Sequence, residues 1–286
     1  MHGCARKGII YRMQFWSPPV LRWAGSKRSL LPQLMPHVTR AGGRYIEPFA
    51  GSACLFFAAR PRQAMLGDSN ADLIESYRVL RRHPRLVARA MRAWPTDSDT
   101  YYGVRALDAG DLGPVERAAR FIYLNRLCFN GVYRTNRQGH FNVPYGKNMG
   151  ALPSEAHVFR CAVALRDAVL RDGDFEATTA DAGAGDFVYL DPPYTQNPEK
   201  AYGMYGYGSF DARDLGRILK VLRRLDRARA TFLFSYAVIP GLAEEIPAAW
   251  SYRDVIASGR VAARVGSRGP RREVLITNHP AGHVSR

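Results

Sequence analysis

Residues 187–194 read Phe-Val-Tyr-Leu-Asp-Pro-Pro-Tyr, an apolar run that ends in an acid, two prolines and an aromatic. The run has the character of a buried strand, and the prolines end it because they cannot donate to a sheet ladder. The result is a stiff loop at the carboxyl end of a strand, where open α/β sheets hold their ligands. Asp191 offers a carboxylate acceptor, Pro192 a backbone carbonyl outside the ladder, and Tyr194 a flat ring. These suit an exocyclic amino group on a planar base: each acceptor takes one N–H, and the ring stacks. A strand followed by a plain proline-rich turn is the alternative for the tetrapeptide taken alone.

Bulk properties narrow the partner. At 286 residues the chain can bury one sizeable core and a smaller second lobe. A hydrophobic share of 47% makes it globular rather than disordered. Its formal net charge of +16 and pI of about 10.1 favour a polyanion, above all nucleic acid. An arginine-rich coding bias is the competing source of that charge. Cysteines stand at 4, 54, 128 and 161 without C-x-x-C spacing or a histidine cluster, so neither a metal site nor a disulfide framework is expected. Cys54 and Cys161 read as packing residues. With no run of about 18 apolar residues and no signal-peptide core, the expectation is a soluble, cytoplasmic protein without membrane contact. Met13 offers a second start site.

Residues 44–49 read as a short strand, followed by the turn Ala50-Gly51-Ser52-Ala53 and a helix over 54–59. A second strand over 64–67 ends at Asp68, and 70–80 has helical period. Strand, glycine turn, helix, strand and acid make a right-handed βαβ start of a doubly wound sheet. From about residue 74 to 160 arginines are dense and interleaved with aromatics. Residues 114–127 form an amphipathic helix, with Pro114 suited to its first turn. Residues 129–150 lack helical period and read as a basic loop or hairpin. Strand signals return at 187–190, 231–236 and 272–277, and helices fill 153–170 and 211–225. The expected fold is α/β: a doubly wound, Rossmann-like sheet carrying an inserted, mostly helical domain with a β-hairpin loop. Residues 1–73 and 161–286 form the sheet-bearing domain, and 74–160 the insertion.

Glycine at 51 can adopt backbone angles closed to other residues and lets a ligand approach the main chain. Asp68 lies 17 positions later at the end of the next strand, where doubly wound sheets place an acid for ribose hydroxyls. A solvated turn acid or helix cap is its plain reading. Neither G-x-G-x-x-G nor G-x-x-x-x-G-K-[ST] is present, so no pyrophosphate or triphosphate site is supported. Trp23 stands four residues before Lys27, and both can lie against a ligand, with Lys27 facing a carboxylate. A buried Trp beside a surface Lys is the alternative.

Taken together, the blocks resemble one family. Arg22-Trp23-Ala24-Gly25-Ser26-Lys27, Glu47-Pro48-Phe49-Ala50-Gly51, the stretch 125–146 and Asp191-Pro192-Pro193-Tyr194, in this order, are similar to the Dam-type, alpha-ordered (D12 class) DNA adenine-N6 methyltransferases. Asp68-Ser69-Asn70-Ala71-Asp72-Leu73 adds a fifth block, and the similarity runs from about residue 20 to 278. The resemblance implies S-adenosylmethionine as cofactor. Trp23 and Lys27 would line its site, Gly51 would bring the backbone against the methionine part, and Asp68 would bind the adenosine. Asp174-Phe175 matches the block upstream of the catalytic strand, whose aromatic packs on the cofactor adenine with the acid nearby. Asp191 would border both cofactor and target. Ser26 stands where the family more usually has glycine.

The implied chemistry fits the residues. Adenine N6 is a poor nucleophile because its lone pair is delocalised into the ring. Asp191 and the Pro192 carbonyl, accepting its two N–H groups, draw it toward tetrahedral geometry and grip harder as charge develops. Tyr194 would stack on the base. No metal or covalent nucleophile is needed, and the adenine must leave the duplex, costing a few kcal/mol. In the resembling family, residues matching Phe129, Asn130, Arg134 and Pro144 contact a GATC site, which makes GATC the first expectation and a longer or different site the second. A basic loop that holds phosphates without reading sequence is the alternative for 129–144. Residues 264–272, rich in arginine, resemble a family loop near the DNA backbone or form a surface hairpin. The expected partner is double-stranded DNA, met as a monomer at the nucleoid. An RNA adenine methyltransferase is the nearest rival. A protein-glutamine methyltransferase would open its motif with Asn, and a DNA binder without activity would leave Asp191 to Tyr194 unexplained.

Overall fold

A computed structural model of the chain describes residues 17–38, 43–147, 151–194, 210, 212–258 and 270–279. Among these, seven strands form one sheet: β1 (Tyr45–Glu47), β2 (Ala64–Asp68), β3 (Ala168–Asp172), β4 (Phe187–Leu190), β5 (Thr231–Ala237), β6 (Ser251–Ser258) and β7 (Pro270–Thr277). Their order is β3-β2-β1-β4-β5-β7-β6. β1 to β5 run parallel, and β7 lies antiparallel between β5 and β6. The helices are α1 (Leu31–Leu34), α2 (Cys54–Ala59), α3 (Ala71–Arg82), α4 (Pro84–Ala93), α5 (Ser98–Ala106), α6 (Pro114–Leu127), α7 (Glu155–Leu165), α8 (Phe175–Thr178) and α9 (Ala212–Arg227). This is the doubly wound α/β architecture expected from the sequence. The chain leaves β1 toward β2 on one side and returns through β4 on the other, so the carboxyl end of β1 is a switch point.

Alternation along the central strands builds a core on each face. Tyr45, Phe187, Tyr189, Leu233 and Leu275 pack on one side against α2, α3 and the helices α4 to α7. Ile46, Val188, Leu190, Phe232 and Phe234 pack on the other against α9 and Phe175. α3 to α7 lie in sequence between β2 and β3. α3 begins where Asn70 accepts the Leu73 N–H, and α6 begins with Pro114 in its first turn. The stretch 129–146 is a loop tied across itself: Cys128 bridges Tyr145, Thr135 bridges Phe141, and the Phe129 N–H donates to the Pro144 carbonyl at 2.9 Å. No helix of the described residues is long and apolar enough to cross a membrane.

One element departs from expectation. The helix read over 153–170 stops at Leu165, and 168–172 form the edge strand β3. Ala162, Leu165, Ala168 and Leu170 are all buried, so the helical and strand periods run together in the sequence. Tertiary contacts separate them. Arg81 and Arg78 of α3 donate to the carbonyls of Ala168 (2.6 Å) and Leu170 (2.9 Å), capping an edge that would otherwise stand open. β6 and the separate helices α4 and α5 are further elements that the sequence pattern does not single out. Residues 264–269 of the arginine-rich segment and the Met13 start lie outside the described residues.

Asn125 holds two distant segments together. Buried in α6, it accepts the Arg22 N–H at 2.8 Å and donates from Nδ2 to the Arg22 carbonyl at 2.7 Å. Asn125→Ala leaves a backbone N–H and C=O without these partners. It is expected to lower unfolding stability by about 1–3 kcal/mol, read from urea denaturation with unchanged m-value.

Candidate active site

A cavity of about 230 Å³ opens at the carboxyl ends of β1, β2 and β4. Trp23, Lys27, Gly51, Asp68, Asp174, Phe175, Asp191, Pro192 and Tyr194 all line it. These are the residues that sequence reading assigned to catalysis and cofactor. The structure brings them together from five separate stretches of chain.

At the glycine-turn end, Gly51 has φ +45°, and an added Cβ would lie 2.7 Å from Trp23 Cδ1. Both the backbone angle and the indole therefore require glycine. The Gly51 N–H donates to Asp68 Oδ2 at 2.9 Å, and the Asn70 N–H to Asp68 Oδ1 at 2.9 Å. Asp68 thus clamps the turn to the end of β2, and each oxygen keeps further acceptor capacity for a ligand hydroxyl. Burial outweighs those two hydrogen bonds and pushes its carboxyl up to about 6.

At the other end, Asp174 caps α8 by accepting the Glu176 N–H at 2.8 Å, and it pairs with Arg217 of α9 at 2.7 Å. Arg217 also lies over the Phe175 ring, 4.6 Å from its centre, while Phe49 stacks against Phe175 at 5.2 Å. Phe175 is buried beneath them, so the half-buried Phe49 is the more open aromatic in the cleft.

Between these ends sits Asp191. The β4–β5 ladder finishes at Leu190↔Phe234, so Asp191 to Tyr194 leave the sheet as a loop. Asp191 Oδ1 receives Lys27 Nζ at 2.8 Å and Ser235 Oγ at 2.9 Å. The Lys27 ammonium also donates to the Gly25 carbonyl at 2.9 Å, approaches Glu273 Oε2 at 3.8 Å, and stands 4.8 Å from the centre of the Tyr194 ring. Burial raises the Asp191 carboxyl, and Lys27, first among the opposing influences, pulls it back down. Burial holds the Tyr194 phenol far above its ordinary range, reinforced by the carboxylates of Asp191 and Glu273.

Glu47, Asp191, Ser235 and Glu273 share one face of four neighbouring strand ends, a row that sequence reading left unassigned apart from Asp191. The local signals were a serine interrupting the apolar run of β5 and an acid within β7. Only lateral strand order says that they converge.

The proposed reading residues Phe129, Asn130, Arg134 and Pro144 occupy the cross-tied loop. Asn130 has φ +55°, Arg134 and Pro144 are exposed, and Arg134 Nε donates to Asn142 Oδ1 at 2.7 Å. The loop is bolted to the cavity wall. Gly131, at φ +61°, packs where a Cβ would lie 2.6 Å from the Arg22 Cβ, and Tyr133 stacks on Trp23 at 5.7 Å.

Comparison with known proteins agrees with this geometry. The family model for D12 class N6 adenine-specific DNA methyltransferases matches residues 23–256. The chain is 33% identical over 271 residues to the Type II methyltransferase M1.LlaDCHI of Lactococcus lactis subsp. cremoris, covering 91% of this chain and 95% of that one. It is 34% identical over 199 residues to the DNA adenine methylase of Serratia marcescens, covering 68% and 73%. A third relative, the DNA N-6-adenine-methyltransferase of Escherichia phage P1, is 32% identical over 264 residues, 90% of this chain and 35% of that protein.

Glu47 makes the site's burial measurable. Burial pushes its carboxyl up to about 8 against an ordinary 4.5, although the Tyr45 hydroxyl donates to it at 2.7 Å. A raised carboxyl binds a proton in the folded state that the unfolded chain has released, so its contribution is lost as pH rises from 4.5 through 8. Asp68 and Asp191 act in the same direction. Glu47→Gln is expected to make the fall in stability across that window shallower by about one proton, measured by denaturation at a series of pH values.

Proposed function

The chain belongs to the D12 class of N6 adenine-specific DNA methyltransferases, and from that premise we propose that it methylates N6 of an adenine swung out of duplex DNA, within GATC. The observation that carries the reading is the position of the Lys27 ammonium. A positively charged, N–H-bearing nitrogen already rests against a carboxylate, a backbone carbonyl and a tyrosine ring. A target amino group acquiring positive charge asks for the same surroundings. The corner is therefore built to favour the charged nitrogen of the transition state over the neutral ground state.

S-adenosylmethionine, when bound, supplies an electrophilic methyl group on a sulfonium. The cavity's donor set fits such a cofactor: Asp68 for hydroxyls, Phe49 and Phe175 for an adenine plane, and the close backbone of Gly51 beside Trp23 for the methionine part. Asp191 and the Pro192 carbonyl accept from the target amino group, and Tyr194 stacks on the base. Lys27, beside Asp191, would also face the carboxylate of the methionine part. Because only positioning and hydrogen bonding are required, alignment supplies much of the rate.

The loop 129–144 supplies recognition. Phe129 acts as a wedge in the stack, Arg134 pairs with guanine, and Asn130 and Pro144 contact base edges. Residues 74–160 serve as the recognition unit and 1–73 with 161–286 as the catalytic unit, acting as a monomer on nucleoid DNA in the cytoplasm. A duplex-reading loop favours DNA over RNA as substrate, and competition between the two in one methylation assay decides it.

Asp191→Ala tests the chemistry. Methyl transfer from labelled cofactor is expected to fall by about 10²–10³ or more, with folding and most DNA binding intact. Near wild-type turnover by the folded variant would remove Asp191 from the mechanism. Arg134→Ala tests the reading. It is expected to relax discrimination at one guanine by about 1–3 kcal/mol across a panel of single-substitution duplexes. An equal loss on every duplex, with the salt slope smaller by about one unit, would make Arg134 a phosphate contact instead.

A further inference from the structure

The two oxygens of Asp191 are not equivalent. Lys27 and Ser235 both donate to Oδ1. Lys27 stands on a flexible stem, but Ser235 is fixed in β5, next to β4, and is fully buried. Its Oγ lies 3.1 Å from the hydroxyl of Tyr189, which sits two residues before Asp191 on the same face of β4. Proton counting fixes the direction of this chain. A carboxylate only accepts, and a serine hydroxyl has one proton. Ser235 spends that proton on Asp191, so Tyr189 is the donor to Ser235. Burial holds the Tyr189 phenol far above its ordinary range, which keeps that proton in place throughout the working pH range. A serine here has no packing advantage over alanine, and burying its hydroxyl is costly unless the hydrogen bonds are made.

We propose that Ser235, backed by Tyr189, is a positioning residue for methyl transfer: by holding Oδ1 it turns Oδ2 of Asp191 toward the amino group of the target base. The proposal rests on the reading of Asp191 as that group's acceptor. The serine is anchored by the sheet rather than by the cavity, so the orientation it gives the carboxylate does not depend on the flexible stem of Lys27. It also bears on charge. The titratable groups around Asp191 are Lys27, Glu47 of β1, Cys54 of α2, Tyr189, Tyr194 and Glu273 of β7. Burial opposes the ionised carboxylate; of these groups the cation Lys27 favours it most, and the Tyr194 hydroxyl acts in the same direction. Ser235 is a neutral donor on the favourable side.

The test compares Ser235→Ala, Ser235→Thr and Tyr189→Phe on duplex substrate. Ser235→Ala is expected to lower kcat about 10- to 100-fold, the usual size of losing one hydrogen bond to a charged group. The KM for cofactor and its calorimetric affinity stay unchanged. Loss of the donor raises the Asp191 carboxyl, so the acid limb of the pH–rate profile moves to higher pH. Ser235→Thr restores the hydroxyl and most of the rate, and Tyr189→Phe moves the limb the same way by less. A wild-type kcat with an unmoved limb in Ser235→Ala overturns the proposal. So does a rate loss that tracks lost cofactor affinity and is not recovered by threonine, which marks a packing role. Should Ser235→Ala fail to fold, Tyr189→Phe decides: an unmoved limb overturns the proposal, and a shifted one supports it. Asp191→Ala run alongside separates the two levels. If it is active, the reading of Asp191 has failed; if it is inactive while Ser235→Ala is wild-type, the positioning role alone has failed.

Discussion

Asp191 is carried to the end of an apolar strand and into a mostly buried corner, and an ionised carboxylate there is costly without a cation beside it. Lys27 is that cation, 5% exposed and 2.8 Å away. The requirement shapes everything around it. The segment before α1 must reach across the sheet to deliver the lysine, and the Gly25 carbonyl must help to hold it. Glu47 and Glu273 crowd the same edge from β1 and β7, and burial raises Glu47 to about 8. Burial thus keeps a proton on Glu47 at neutral pH, and the charge of Asp191 is balanced by one lysine on a long stem. On the function proposed above, such a corner suits a nitrogen that becomes positive.

The delivery of Lys27 also joins the cavity to the loop that resembles a sequence reader. Arg22 is locked to Asn125 by two reciprocal hydrogen bonds, Gly131 packs on the Arg22 side chain, and Trp23 stacks on Tyr133. Tyr133 in turn touches Phe141 and reaches Asp72 of α3 with its hydroxyl at 3.3 Å. Residues on either side of one short segment therefore feel both the cavity and the loop. A change in the packing of Trp23 reaches the loop through its direct contact with Tyr133.

Much of this was legible in the chain. The blocks around Trp23, Gly51, Asp68 and Asp191 stood out because glycine, proline and acid at strand ends carry strong local meaning. The same locality explains the misreading over 153–170, where buried alanines and leucines continue from α7 into β3 without a break in hydrophobicity. Val169 is half exposed because β3 is an edge strand, a fact about neighbours that no window of sequence contains. Arg78 and Arg81 read simply as helix-surface charges. Their work is to close the carbonyls of that edge.

The sequence by itself determined the family, the doubly wound class and the loop at Asp191, because each is written in short contiguous patterns whose backbone demands are local. The tertiary structure alone decided which groups answer those patterns. Ser235 and Glu273 meet Asp191 because β5 lies beside β4 and β7 beside β5, contacts separated by 44 residues for the serine. Arg217 covers Phe175 across 42 positions, and Asn125 finds Arg22 across 103. Hydrogen bonds and ring contacts fall off within a few ångströms, and sequence distance says nothing about that separation until the chain has folded.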